Sequence, residues 1–353
     1  MTIENVDGVL YKSYELEDAR HLLYKRNPDG DKFTFGRILI VAGSDEYSGA
    51  PALAAKAAYR SGAGLVVVYT GDEAVSVVRT LVPEAVVKSY VKHSCLEELK
   101  KADAVVLGPG LSRDITAKKV VVECLKYCRA NNKKLIIDAD GLNIVSELLT
   151  EAENERDMTE AENERDMAEA ENERNMTEAE NERDTTEAEN ERDIRQGRLL
   201  NYVSSRIKHL NEMIPKGTVI TPHAAEFSRL LGIDSRKLSL SDKKVIKELF
   251  AKEGEFILVI KLHRTLVIGG DKENLEEAFY INSSGNDGMA TGGSGDVLAG
   301  IIGALLVHHE PSLAARLGVF IHGAAGDAAA EKLGRYSLMA GDIADNISEV
   351  LKF

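Results

Sequence analysis

The chain has 353 residues, 44% of them hydrophobic, and a formal net charge of −14. That length holds one large α/β domain or two modest ones, with apolar residues enough for a core. The longest apolar run, Val297 to Val307, is interrupted by glycine and falls short of the roughly 20 residues a membrane-spanning helix needs, and the N-terminus carries no basic segment followed by an apolar one, so neither a membrane span nor a secretion signal is expected.

Residues 1–36 read as a polar extension, with a helix over Leu16 to Tyr24 and a turn at Asn27-Pro28-Asp29-Gly30. The domain proper is expected over 37–353. It opens with RILIVAG (Arg37 to Gly43), a continuous apolar run that predicts a strand buried on both faces. A tight turn at Ser48 to Ala50 follows, then an Ala-rich helix from Pro51 to Arg60, closed by Gly62 and Gly64. Strand LVVVYT (Leu65 to Thr70) leads to a helix over Asp72 to Leu81, and AVVKSY to a short helix around Leu96 to Lys100. DAVVLGPG (Asp103 to Gly110), a long helix from Ile115 to Ala130 and the strand KLIIDAD (Lys134 to Asp140) continue the series. Five alternations of strand and helix predict an α/β fold with a mostly parallel, doubly wound sheet. Cys95, Cys124 and Cys128 are an odd count without a metal-binding pattern; Cys124 and Cys128, four apart on a predicted helix, read as small core residues in a reducing cytosol.

The acidity has a single source. Residues 151–195 are five tandem nonapeptides, beginning EAENERDMT, with fifteen Glu and four Asp against six Arg, a net of −13. The rest of the chain is close to neutral, and no basic patch points to nucleic acid. A nine-residue period is two and a half helical turns, so the apolar positions of successive copies fall on opposite sides. The insertion therefore reads as a solvated helix, helped by pairs such as Glu153 with Arg156, or as a loop. Tandem expansion in a tolerant surface loop and a partner-binding arm are the two readings of its origin.

Beyond the repeat come a helix around Tyr202 to Met213, a strand from Thr218 to Thr221 ending at Pro222-His223 and Glu226, and a helix from Asp242 to Lys252. The run FILVIKLHRTLVIGG predicts a hairpin with Lys261 to Thr265 across its turn. Helices over Leu313 to Glu331 and Asp342 to Leu351 close the chain. In doubly wound sheets ligands sit outside the carboxyl ends of the strands, which nominates Gly43-Ser44, Ser48 to Ala50, Gly108 to Gly110, Asp138 to Asn143, and Pro222-His223. The richest candidate is NSSGNDGMATGGSGDVLAG (Asn282 to Gly300), a glycine-rich turn opening a buried helix. Helix N-termini attract anions, and Asp296 is placed to take a proton from a hydroxyl attacking a bound phosphate. Alternatively Ser294 caps the helix and Asp296 only complements its dipole.

The combination of VAGSDEYSGAPALAAKAAYRSGAGLV, GPGL, DADGLN, TPHAAEF and NSSGNDGMATGGSGDVLAG resembles the ADP- or ATP-dependent NAD(P)H-hydrate dehydratase family, from about Arg37 to the C-terminus apart from the insertion. The resemblance implies a ribokinase-like three-layer fold with an appended hairpin. It also implies repair of nicotinamide cofactors: the hydroxyl of (S)-NAD(P)H hydrate is phosphorylated by ADP or ATP, with Mg²⁺, and phosphate is then eliminated. By the same resemblance Asp296 serves as base and contacts the hydroxyl. Ala50, Gly110, His223 and Asn143 contact the hydrated cofactor. Gly293, Gly295 and Lys261-Leu262-His263-Arg264-Thr265 hold the nucleotide, and Asp138 is a candidate for the metal. A cytoplasmic homotetramer is implied as well. The stretch ahead of the first strand is too short for the epimerase domain often fused in this family, so a separate epimerase is expected.

One residue departs from the family pattern, whose hairpin turn has Lys-Gly, two residues and Thr. Leu262 stands where the glycine would be, which matters for nucleotide affinity or orientation if that backbone requires a positive φ or a close approach to a ribose. Two other functions fit part of the pattern: a ribokinase-like kinase of a vitamin-precursor alcohol, and a non-catalytic nucleotide-binding scaffold that uses the acidic repeat.

Overall fold

The computed structural model describes residues 1–6, 9–155, 187–270 and 278–352. Eleven strands form one sheet in the order β1-β2-β11-β10-β9-β8-β7-β6-β3-β4-β5. Its parallel part comprises β3 (Arg37–Val41), β4 (Leu65–Thr70), β5 (Val86–Ser89), β6 (Ala104–Leu107), β7 (Lys134–Ile137), β8 (Val219–Ile220) and β9 (Ile257–Ile260). The parallel part starts at β3, runs outward through β4 to β5, and returns to place β6 on the other side of β3. That reversal leaves a crevice between the carboxyl ends of β3 and β6.

The central strands are apolar on both faces because both are covered. Ile38 and Ile40 of β3 point into one apolar layer, and Leu39 and Val41 into the other. The first layer is built with α2 (Gly49–Arg60), α10 (Ser294–Leu305), α11 (Pro311–Leu333) and α12 (Ala340–Val350). The second is built with α4 (Leu96–Lys101), α5 (Ile115–Ala130), α6 (140–155), α7 (Glu187–Met213), α8 (Ala224–Leu231) and α9 (Leu240–Glu253). Two short helices, α1 (Leu16–Leu22) and α3 (Ala74–Leu81), complete the set. Each fully buried Ile or Leu contributes about 1.5–3 kcal/mol relative to exposure. Helices α2 and α10 pack so closely that a methyl group on Gly300 would lie 2.2 Å from the carbonyl oxygen of Ala54. Any side chain there would push the two helices apart.

The structure departs from the sequence reading at the hairpin side of the sheet. Residues read as a polar extension contribute β1 (Thr2–Val6) and β2 (Val9–Ser13), an antiparallel pair. Tyr11 and Val9 of β2 are buried while Leu10 between them is exposed, and so short an apolar stretch gave too weak a pattern to announce a strand. The predicted hairpin is present as β9 and β10 (Leu266–Ile268), and β11 (Phe279–Ile281) joins β10 to β2. Helix α7 begins at Glu187, inside the last repeat copy, well before the expected Tyr202.

The first copy of the repeat is also anchored. Glu151 pairs with Lys118 at 2.5 Å, and Glu153 pairs with Arg206 of α7 at 2.5 Å. The anticipated Glu153–Arg156 pair, like the middle of the repeat, lies outside the described residues. Because α6 starts at Asp140 and rises about 1.5 Å per residue, the insertion leaves from the helix end remote from the carboxyl edge of the sheet. Cys124 and Cys128 are buried as expected, and Cys95 is buried as well.

Candidate active site

The chemistry collects where α10 begins. Its N-cap, Gly293, has a φ of 90° and makes no side-chain cap hydrogen bond among the described residues. The alternative that Ser294 caps this helix does not hold. Ser294 is the first helical residue, and its Oγ lies 3.2 Å from Nε2 of His322 on α11. Burial drives the pKa of His322 down to about 4, so its ring is neutral near pH 7. The helix start is left as an open set of backbone donors, suited to an anion.

Helix α11 also supports the glycine-rich loop. Asp327 accepts from Gly285 N and Asn286 Nδ2, each at 2.8 Å, and Ser284 Oγ donates to Phe320 O at 3.0 Å. The segment HGAAGDAAA thus supplies His322 and Asp327 as buttresses. The sequence reading placed it in a helix without giving it a role. Glycines three apart at 323 and 326 were the available signal, since each lets the loop come close.

Asp296 lies in the first turn of α10, and its pKa is pushed up to about 7. Burial is the largest cause, followed by the negative charge of Asp138; Lys261 opposes the rise and Asp140 adds to it. Asp138, at the end of β7, is buried and accepts from Lys261 Nζ at 2.5 Å. Glu226 Oε2 lies 3.8 Å from the same ammonium. Burial works against the charged form of Lys261, but Asp138, Glu226 and Asp296 more than offset it and leave its pKa raised. One lysine thus stands among several carboxylates, and the affinity of Asp296 for a proton is increased.

The strand ends bring in the remaining candidates. His223 is the N-cap of α8: its Nδ1 accepts from Ala225 N at 3.1 Å and Glu226 N at 3.3 Å, while Nε2 lies 3.2 Å from Glu226 Oε1. With Nδ1 accepting, Nε2 carries the hydrogen in the neutral ring. His223 also forms a parallel bridge with Lys261, which ties it to the charged cluster through the backbone. Across the crevice Gly43 N donates to Pro109 O at 2.8 Å. A methyl group on Gly110 would sit 2.9 Å from Ala50 Cβ and 2.8 Å from Tyr47 Cβ, so those three line up together. Gly293 comes equally close to Leu53 of α2, which joins this wall to the start of α10.

Other candidates are turned elsewhere. Asn143 Oδ1 accepts from Arg229 Nε at 2.9 Å, and its Nδ2 donates to Asp140 at 3.3 Å, one shell away from Asp296. Arg264 makes a two-pronged pair with Glu4 of β1, at 2.7 and 2.8 Å. Leu262 and His263 are exposed. Among the described residues the non-glycine residues with positive φ are Ser112, Asn132 and Ala139, so Leu262 is not held in a conformation that would call for glycine. Gly295 lies against the cluster, with Asp138 Oδ2 and Lys261 Nζ each 3.5 Å from the position its Cβ would take.

The family model described as NAD(P)H-hydrate dehydratase matches residues 38–165 and 199–349, and the gap between them takes in most of the repeat. The chain is 32% identical over 346 residues to the bifunctional NAD(P)H-hydrate repair enzyme of Moorella thermoacetica, covering 95% of this chain and 52% of that one. It spans about half the length of such bifunctional relatives. An ADP-dependent (S)-NAD(P)H-hydrate dehydratase from Neisseria meningitidis serogroup B is 32% identical over 331 residues, covering 92% of this chain and 88% of that one. A ribokinase-like superfamily protein from Enterococcus faecalis superposes with a TM-score of 0.70 at 24% identity, covering 97% of this chain and 95% of that one. With the family model matching well over half of its length, the chain belongs to the NAD(P)H-hydrate dehydratase family and has the ribokinase-like fold.

Proposed function

We propose that this protein returns hydrated NADH or NADPH to the active cofactor, using ADP, or ATP in its place, as phosphoryl donor. The observation that carries the reading is Asp296: a carboxyl with a pKa of about 7, in the first turn of a helix whose N-cap makes no side-chain hydrogen bond among the described residues. A base is most effective when its pKa lies near the working pH. In this reading the ring hydroxyl gives its proton to Asp296 as its oxygen attacks the terminal phosphorus of the nucleotide, and the bond to the nucleotide's bridging oxygen breaks. The open start of α10 and the Lys261 ammonium stabilise the charge on the transferred group. Elimination follows because phosphate leaves far more readily than hydroxide. The ring nitrogen supplies the electron pair, and loss of a ring proton restores the double bond.

Gly293 and Gly295 contact the nucleotide phosphates, with the hairpin turn from Lys261 to Thr265 beside them. The wall of Ala50 and Gly110, with His223 and Asn143 nearby, receives the hydrated nicotinamide. Asp138 is the residue offered to Mg²⁺. Lys261 occupies its Oδ1, but Oδ2 is turned toward Gly295, which suits an ion held by one carboxylate and otherwise by phosphate oxygens and water. Such an ion neutralises phosphate charge when bound.

The test mixes the full chain with hydrated NADH, Mg²⁺ and either ADP or ATP. The near-ultraviolet absorbance of reduced nicotinamide should grow together with inorganic phosphate, and neither should appear with Asp296→Asn. A stable phosphorylated alcohol without recovered absorbance would assign the kinase reading instead. A folded protein inactive with both nucleotides would sink the proposal.

A further inference from the structure

A cavity of about 800 Å³ opens at the other end of α10 from Asp296. Ala304 and Leu305, at the C-terminal end of that helix, form part of its wall, with Phe35 just before β3 and Gly62 just after α2. The nine-residue step from Asp296 to Leu305 puts roughly 14 Å of helix between the two places. The cavity therefore lies at the amino ends of the central strands and shares no side chain with the cluster around Lys261.

Its wall is chiefly apolar, yet five full cations line it, Arg20, Lys25, Arg26, Arg60 and Lys352, against one carboxylate, Glu17. Two of the five are committed elsewhere: Arg20 to Glu17 at 3.0 Å and Lys352 to Glu349 at 2.7 Å. Arg60 approaches Asp345 only to 3.9 Å. Arg26 donates to the carbonyl of Gly62 at 3.2 Å and lies over the ring of Phe35 at 3.7 Å. Among the described residues neither Lys25 nor Arg26 has a carboxylate partner. Three cations thus face little counter-charge beside apolar surface, where a charge-assisted hydrogen bond is stronger than in open water.

A flat surface stands next to them. Tyr24 and His308 stack with ring centroids 4.0 Å apart and planes 6° from parallel. The backbone N–H of Tyr24 donates to His309 Nε2 at 3.3 Å, which fixes the platform to the end of α10. Among the described residues, Arg20 Nε and His308 Nε2 are buried without a hydrogen-bond partner, although buried polar atoms are ordinarily satisfied.

We propose that this cavity binds a small organic phosphate bearing a flat ring, at a site separate from the one at Asp296. The ring extends the Tyr24–His308 stack, and the phosphate dianion is held by Lys25, Arg26 and Arg60. The inference goes beyond the dehydratase reading and does not depend on it.

The probe is 1-naphthyl phosphate, titrated calorimetrically into the full-length protein. One site is expected, with affinity reduced tenfold or more by Lys25→Glu and by Tyr24→Ala, and unchanged by Asp296→Asn. Lys25 is exposed, so its replacement leaves the packing intact, and melting curves monitor the fold of Tyr24→Ala. Inorganic phosphate and 1-naphthol, each offering half of the ligand, should bind more weakly than the ester. The proposal is overturned if the ester gives no heat of binding, if Lys25→Glu binds it like the parent, if Asp296→Asn abolishes binding, or if either half-ligand binds as tightly as the whole.

Discussion

Two carboxylates in this protein are removed from water and respond in opposite ways. Glu98 of α4 is buried, and burial by itself would raise its pKa; instead, Lys88 at 2.7 Å and Arg37 hold the carboxyl below its ordinary value. Asp296 is desolvated as well, but its strongest charged neighbour is another carboxylate, Asp138, and its pKa rises to about 7. A buried acid with cations to itself is a fixed anion and contributes to stability. A half-buried, desolvated acid that shares one lysine with other acids is poised to exchange a proton. The comparison explains why charge at Glu98 is structural while charge at Asp296 points to chemistry.

The strongest way to break this comparison is Asp296→Asn. The amide cannot accept the proton, so kcat/KM should fall by about 10²–10⁴-fold, the range typical of a lost general base. Stability should move the other way. Because the folded pKa is raised, the folded protein keeps a proton that the unfolded chain has already released, so stability is lost as pH rises toward about 7. The variant escapes that penalty and should gain roughly 1–3 kcal/mol, most clearly above the folded pKa. Melting curves of parent and variant at acid and mildly alkaline pH would check it; equal shifts at both would contradict the assigned pKa. In the parent, kcat/KM should rise with pH through about 7 as Asp296 loses its proton.

Lys261→Met removes the one cation that the carboxylates share. Leaving buried charge uncompensated typically costs about 3–5 kcal/mol, readable by chemical denaturation. Any residual activity should have its rising pH limb displaced to higher pH, since Lys261 holds the Asp296 pKa down. An unmoved limb would mean that the lysine acts only through nucleotide contact.

Glu98→Gln tests the other half of the comparison. It should destabilise by about 1–3 kcal/mol, the range for unpairing buried charged hydrogen bonds, without altering the pH profile of catalysis. Its sign against pH is opposite to that of Asp296. The lowered pKa of Glu98 contributes stability above the ordinary carboxylate range, and that contribution is lost as pH falls through the folded value. The parent's advantage over the variant should therefore shrink in acid.

The smallest effect is expected from joining α6 to α7 by a short linker in place of residues 156–186. The anchoring pairs at Glu151 and Glu153 remain, and kcat/KM should be unchanged within assay error. A large loss would mean that the repeat takes part in the reaction.

Much of this protein was legible before folding was considered. Continuous apolar runs such as RILIV and LVVVYT can be satisfied only in a sheet covered on both faces, so β3 and β4 could be placed with their helices. The glycine pattern around Asp296 identified the start of α10, because few other sequences turn so tightly into a buried helix. The nine-residue period of the repeat, which supports no continuous apolar face, was legible too. The pairing of distant groups was not legible. Strand β2 takes its place only because β11 offers an open edge, and two residues of alternation could not announce that. Ser294 looked like a cap, but Gly293 takes that position and the serine hydroxyl meets a half-buried histidine 28 residues away. The proton affinity of Asp296 depends on Asp138 and Lys261, 158 and 35 positions away in the sequence. Sequence by itself determined which segments must be buried and where the chain must turn, since those follow from local composition. Only the tertiary structure decided which charges share a desolvated space, because electrostatic coupling depends on distance and burial rather than on order along the chain.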